Sequence, residues 1–148
     1  TERFEPLWHS LKKEKAIFFV TSPLEALAAV ILFDQFPRSM FRHQPDAFAT
    51  DALALSIAKL SIEAGFDTDM TPEQRQFLYM PFQHSEDIAD QDMSAELFDG
   101  LGLAEPMKFA IAHRDIIKRF GRFPHRNEVL GRETLPEEVS AIEEGEHW

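Results

Sequence analysis

The chain has 148 residues, 44% of them hydrophobic, with 14 phenylalanines and no cysteine. That fits one folded domain over residues 1–148, and it excludes a disordered body, disulfides, thiolate chemistry and cysteine-ligated metals. A net charge of −11 turns away nucleic acid and anionic membranes as general partners, because both repel an acidic surface.

The longest apolar run, residues 26–33, falls far short of the ~20 residues that a spanning helix needs. The amino end shows no basic-then-apolar leader, and the lack of cysteine agrees with a cytoplasmic setting. Charge is unevenly spread. Residues 108–132 hold seven Lys or Arg against two acids, while 86–105 and 133–146 are acidic.

In chain order, a first helix is expected over residues 4–19. Ser22-Pro23-Leu24-Glu25 then reads as an N-cap, a proline at the first helical position and a capping-box glutamate, opening a helix over 22–36. Its residues 26–33 are apolar nearly all round and should be the most buried continuous stretch. Pro37 should disturb or end it. A third helix is expected over 45–64, opened by Pro45. Thr71-Pro72-Glu73-Gln74 caps a fourth over 72–82.

A fifth is expected over 86–101, with Ser85 as N-cap and Ala89, Met93, Leu97 and Leu101 along one face. A sixth over 106–120 carries Phe109, His113, Ile116 or Ile117, and Phe120 as its apolar stripe and ends at Gly121. A last one over 136–145, weakly capped by Thr134 and Glu137, leads into an end that frays over 143–148. No stretch alternates as a strand would. The fold class is therefore all-α, an antiparallel array of six or seven helices joined by short connections.

Three segments gather polar and charged side chains: Leu32-Phe33-Asp34-Gln35-Phe36-Pro37-Arg38, Pro81-Phe82-Gln83-His84-Ser85-Glu86-Asp87, and His113-Arg114-Asp115 running on to Arg119-Phe120-Gly121-Arg122-Phe123-Pro124-His125-Arg126-Asn127. With Ala47-Phe48-Ala49-Thr50-Asp51, Leu130-Gly131-Arg132-Glu133 and Pro136-Glu137-Glu138, these strings make residues 24–138 resemble the bacterial family known as domain of unknown function 924. The resemblance implies an all-helical fold akin to tetratricopeptide-repeat domains, without their repeat consensus, and it implies no reaction. Family members carry a further aromatic-rich segment upstream, and on that resemblance the chain is expected to begin inside or after it. Residues 12–20 match poorly.

The residues themselves suggest a site. Asp34, deep in an apolar helix, needs a partner, because an unpaired buried carboxylate is costly; Arg119, Arg122 or Arg126 is expected within salt-bridge reach of it. Gln35 and Arg38 flank it. His84 is not explained by capping, whereas Glu86 and Asp87 suit a helix's first turn. His113 faces inward. Gly121 and Pro124 should hold Arg119, Arg122, His125, Arg126 and Asn127 on a stiff turn, where guanidinium forks suit carboxylate or phosphate.

The leading expectation is a pocket for a small anionic molecule or peptide terminus, formed by all three segments, with no cofactor and no metal. A tetratricopeptide-like interaction scaffold is the second reading. A hydrolase using a histidine as acid or base is the third.

Overall fold

The computed structural model describes residues 3–144, with burial given for residues 3–143. It is all-helical, and no strand occurs among the described residues. The helices are α1 (Glu5–Leu11), α2 (Pro23–Met40), α3 (Asp51–Glu63), α4 (Pro72–Gln83), α5 (Ile88–Asp99), α6 (Ala104–Phe120), α7 (Asn127–Leu130) and α8 (Val139–Glu144). Single 3-10 turns cover Ala16–Phe19, Pro45–Phe48, Pro124–Arg126 and Pro136–Glu138. None of the described helices is long and apolar enough to cross a membrane.

Helix α2 lies at the centre, packed on α1, α3 and α4, while α5 joins α4 to α6. Its start follows the capping signal: the Glu25 N–H donates to Ser22 Oγ at 3.2 Å. The Thr71–Gln74 capping box of α4 forms in both directions, at 3.0 and 3.2 Å. Gly121 ends α6 at φ 73°, the left-handed C-cap that a residue with a Cβ resists.

Pro37 does not end α2, contrary to the sequence expectation; the helix runs on to Met40 with Pro37 inside it. A proline withholds the N–H that would bond the carbonyl four residues back. Here that carbonyl belongs to Phe33, and the Thr50 hydroxyl donates to it at 2.7 Å. Thr50 Oγ in turn accepts from Trp8 Nε1 at 3.0 Å. One distant side chain, Thr50, thus replaces the missing bond, itself held by Trp8, and α2 gains the turn that carries Arg38.

Other elements differ from expectation. Residues 4–19 form α1 and a separate 3-10 turn rather than one helix, and 45–64 likewise split into a 3-10 turn and α3. The cap of α5 is Asp87, whose carboxylate accepts from the Ala89 N–H at 2.8 Å; Ser85 stands two residues earlier and bonds the Asp87 N–H. Near the end, the Leu135 N–H bonds Glu138, one step beyond the Thr134–Glu137 pair read from sequence. From residue 145 onward, the last predicted helix and the frayed end lie outside the described residues.

The expected most-buried stretch, 26–33, is interrupted by exposed Ala28 and half-buried Ile31, because one side of α2 opens onto a groove with α1. Continuous burial belongs instead to residues 81–84, where α4 ends. That turn carries His84.

Candidate functional site

Asp34 has no exposed surface, and its carboxylate is the point where the first two motif segments meet. His84 Nδ1 donates to Oδ1 at 2.7 Å, and Gln35 Nε2 donates to Oδ2 at 2.7 Å. Arg38 Nη1 lies 3.5 Å from Oδ1 and donates to the Asp34 carbonyl at 2.7 Å. Burial alone would raise the carboxyl's pKa. The His84 charge and hydrogen bond, then Arg38 and Gln35, outweigh burial and hold it below its ordinary value. Asp34 is therefore paired with Arg38 and His84, not with Arg119, Arg122 or Arg126 as the sequence suggested. The four-residue spacing of Asp34 and Arg38 on one helix face supplies the nearer cation.

The guanidinium of Arg38 forks onto Asp51 of α3, at 2.7 and 2.9 Å. Arg126 reaches the same carboxylate at 3.8 Å and donates to the His84 carbonyl at 3.0 Å. It is clamped between the rings of Phe48 and Phe123, 4.4 and 4.6 Å from their centroids. Its Nε is sealed without a hydrogen bond among the described residues. Burial lowers its pKa to about 10 against the pull of Asp51, so it stays charged at neutral pH.

Two further contacts fix the histidines. Gln91, wholly buried on α5, donates to the carbonyls of Gln83 and Ser85, both at 2.7 Å, and so clamps the turn on either side of His84. His113 Nδ1 donates to the Phe109 carbonyl at 2.7 Å, and Gln83 Nε2 stands 3.3 Å from the same nitrogen. Burial pushes the His113 pKa down to about 3, so this imidazole is neutral at pH 7. The two imidazoles lie 6.4 Å apart, centroid to centroid.

Gln35, Arg38, Gln83, His84 and His113 line one recess of about 390 Å³ between α2, α4 and α6, with Met80, Phe98 and Phe109 also in its wall. Asp34 sits behind this wall. Its hydrogen bond takes up His84 Nδ1; Nε2 has no hydrogen bond among the described residues and is not sealed from the recess. On its other side, His84 shares a second recess of about 390 Å³ with Asp51, Glu86 and Arg126.

The remaining sequence candidates lie elsewhere. Arg122 is occupied by Glu138, with Nε and Nη2 donating at 2.9 and 2.8 Å, and by the Glu133 carbonyl at 2.6 Å. Asn127 donates to Glu138 at 3.2 Å and accepts from Arg132. Glu86 takes the Arg132 fork at 2.9 and 3.2 Å and the Phe123 N–H at 2.6 Å. Asp87 is an exposed helix cap. Arg119 is exposed and stacks on Phe120, 4.6 Å from its centroid. His125 lines a different recess, beside Arg38.

Asp51, Gln83, Arg132 and Glu138 were not read as site residues. All four lie inside motif strings used for the family resemblance, and that was their one signal. Among the described residues no group of three or more His, Asp or Glu is placed to hold a metal.

The family described as "Bacterial protein of unknown function (DUF924)" matches residues 1–146, and so extends through residues 12–20, where the motif resemblance is poor. No curated protein matches the sequence. A solved structure does: a protein of unknown function, ATU0120, from Agrobacterium tumefaciens. It is 41% identical, with a TM-score of 0.90 over 97% of this chain and 81% of that one.

Proposed function

Because the chain belongs to the bacterial family DUF924, whose name supplies no reaction, we propose its function from its own geometry: it binds a small polar molecule in the recess between α2, α4 and α6. The observation that carries this reading is the Asp34–His84 pair. A buried carboxylate takes its hydrogen bonds from His84 Nδ1 and Gln35 Nε2, which leaves Gln35 Oε1 as an acceptor and His84 Nε2 without a hydrogen bond among the described residues, on two side chains that line the wall. Arg38 is already engaged by Asp34 and Asp51. The recess therefore suits a ligand that brings N–H or O–H donors, such as an amine, an amide or a peptide amino terminus. A purely structural role explains Arg122, Asn127 and Glu138, but it gives no reason for a recess at His84.

Ligand-observed NMR against free amino acids, dipeptides, primary amines and simple amides tests this. One class should show saturation transfer that His84→Gln and Gln35→Ala each abolish. Binding by no class, or binding that survives both substitutions, overturns it.

A second reading, the acid–base enzyme, rests on the same pair, since a base held by an orienting carboxylate is how imidazoles are prepared for proton transfer. It predicts chemical conversion of the bound class, read by mass spectrometry. Asp34→Asn should depress that conversion more than it depresses binding.

A further inference from the structure

On the far side of Arg38 lies a wider recess of about 580 Å³, whose wall holds Arg38, Arg42, His43 and His125 over an apolar floor of Ala47, Phe48 and Val129. Among the described residues no carboxylate lines it, although the chain carries a net charge of −11. The cations differ in how they are used. Arg38 is held by Asp51 at 2.7 and 2.9 Å and lies 5.4 Å over the Phe48 ring. Arg42 is exposed and has no hydrogen bond or ion pair among the described residues. His43 has φ 67°, the one positive value outside glycine among the described residues. Just past a helix end that position ordinarily falls to glycine or asparagine; here it presents an imidazole to the recess.

We propose that this recess is an anion site for a small organic phosphate. Arg42 meets the charge, His43 hydrogen-bonds a phosphoryl oxygen, and Ala47, Phe48 and Val129 receive the carbon body. A guanidinium able to meet two oxygens at once, with an imidazole beside it, suits an anion with three terminal oxygens. A phosphate alone would leave much of the volume empty, while the recess falls within the size range of small-molecule sites. The fork of Arg38, fixed between Asp51 and Phe48, forms a rigid positive back wall rather than the primary contact. Arg42 also lies just beyond the carboxy end of α2, where the helix dipole favours a cation without any ligand. That alternative predicts no saturable binding.

Isothermal titration with inorganic phosphate and with phenyl phosphate, at ionic strength matched with sodium chloride, decides between them. Both should bind saturably, phenyl phosphate the more tightly. Arg42→Ala should weaken both by on the order of tenfold or more while the thermal midpoint stays close to wild type. His43→Gly should raise the thermal midpoint, because glycine accepts the positive φ, and still weaken phosphate. Heats no larger than the chloride control, or affinity undiminished in Arg42→Ala, overturn the proposal. So does phenyl phosphate binding no better than phosphate, which would leave the apolar floor without a role.

Discussion

Two regions of this molecule are built from the same pieces, arginine forks and carboxylates, and they use them differently. At the centre, Asp34 and Asp51 tie Arg38, Arg126 and His84 together, with Asp34, Arg126 and His84 buried and the Arg38 and Asp51 side chains 20% and 18% exposed. Around α7 and the following turn, Glu86 and Glu138 tie Arg132, Arg122 and Asn127, with the arginines a quarter exposed. In the outer region each carboxylate meets its donors with both oxygens, and the donors are consumed. At the centre Gln35, Arg38 and His84 also line a recess, and His84 Nε2 has no hydrogen bond among the described residues. An ion network that closes on itself clasps the chain, whereas one that leaves an oriented atom over a cavity has the makings of a site.

Acid should separate the two regions most strongly. His113 at the centre is neutral when folded, with its pKa pushed down by burial to about 3. The unfolded chain binds that proton near pH 6.5, so the stability from His113 is complete above 6.5 and is lost as pH falls toward 3. The full loss is up to about 5 kcal/mol. In the outer region, the Arg122 hydrogen bond, opposed by burial and aided by the Leu135 N–H, holds the Glu138 carboxyl down at about 2. That contribution is complete above pH 4.5 and is lost between 4.5 and 2. Urea unfolding at stepped pH should therefore show a first decline below 6.5, and His113→Gln should remove the part between 6.5 and 4.5. A stability flat from pH 7 to 4.5 in the wild type would break the comparison at its centre.

Substitutions rank the regions next. Asp34→Ala leaves Arg38, His84 and Gln35 without the fully buried acceptor they share, a loss of about 3–5 kcal/mol. Glu138→Ala strips acceptors from Arg122, Asn127 and the Leu135 N–H, where water can partly stand in, and should cost about 1–3 kcal/mol. Denaturant midpoints at neutral pH measure both. If Glu138→Ala proves the more damaging, the outer clasp rather than the central cluster holds the fold, and the reading of Asp34 fails.

Much of the helical layout was legible because caps act locally: Ser22, Thr71 and Gly121 each do what their neighbours in sequence imply. The failures came where a distant group altered a local rule. Pro37 reads as a helix stop until Thr50 supplies the missing donor to Phe33. The face of α5 reads as Ala89, Met93, Leu97 and Leu101, yet the buried side holds Gln91, Ser94, Ala95 and Phe98, since Gln91 is drawn inward by the turn at His84. The convergence of the motifs on His84 could be anticipated from their polar content. Which acid meets which arginine could not, because Asp34, Asp51, Glu86 and Glu138 look alike in a string of letters and are distinguished only by packing. Arg42 and His43 escaped notice because they belong to no motif string.

Arg119 supplies the smallest effect and the sharpest control. It stands in the same motif string as Arg122 and Arg126 and shares their chemistry. Sequence alone gave it equal standing as a partner for Asp34. The structure places it at the surface of α6, against the ring of its neighbour Phe120. An exposed arginine stacked on one aromatic contributes little, because its head stays hydrated and its stem gains modest cover. Arg119→Ala should therefore shift stability by no more than about 0.5 kcal/mol and leave phenyl phosphate affinity unchanged. Arg126→Ala, seven residues on, strips a clamped guanidinium from between two rings and from Asp51 and should cost several times as much. A large effect of Arg119→Ala would mean that motif membership, not burial and partnering, decides which arginines matter in this fold.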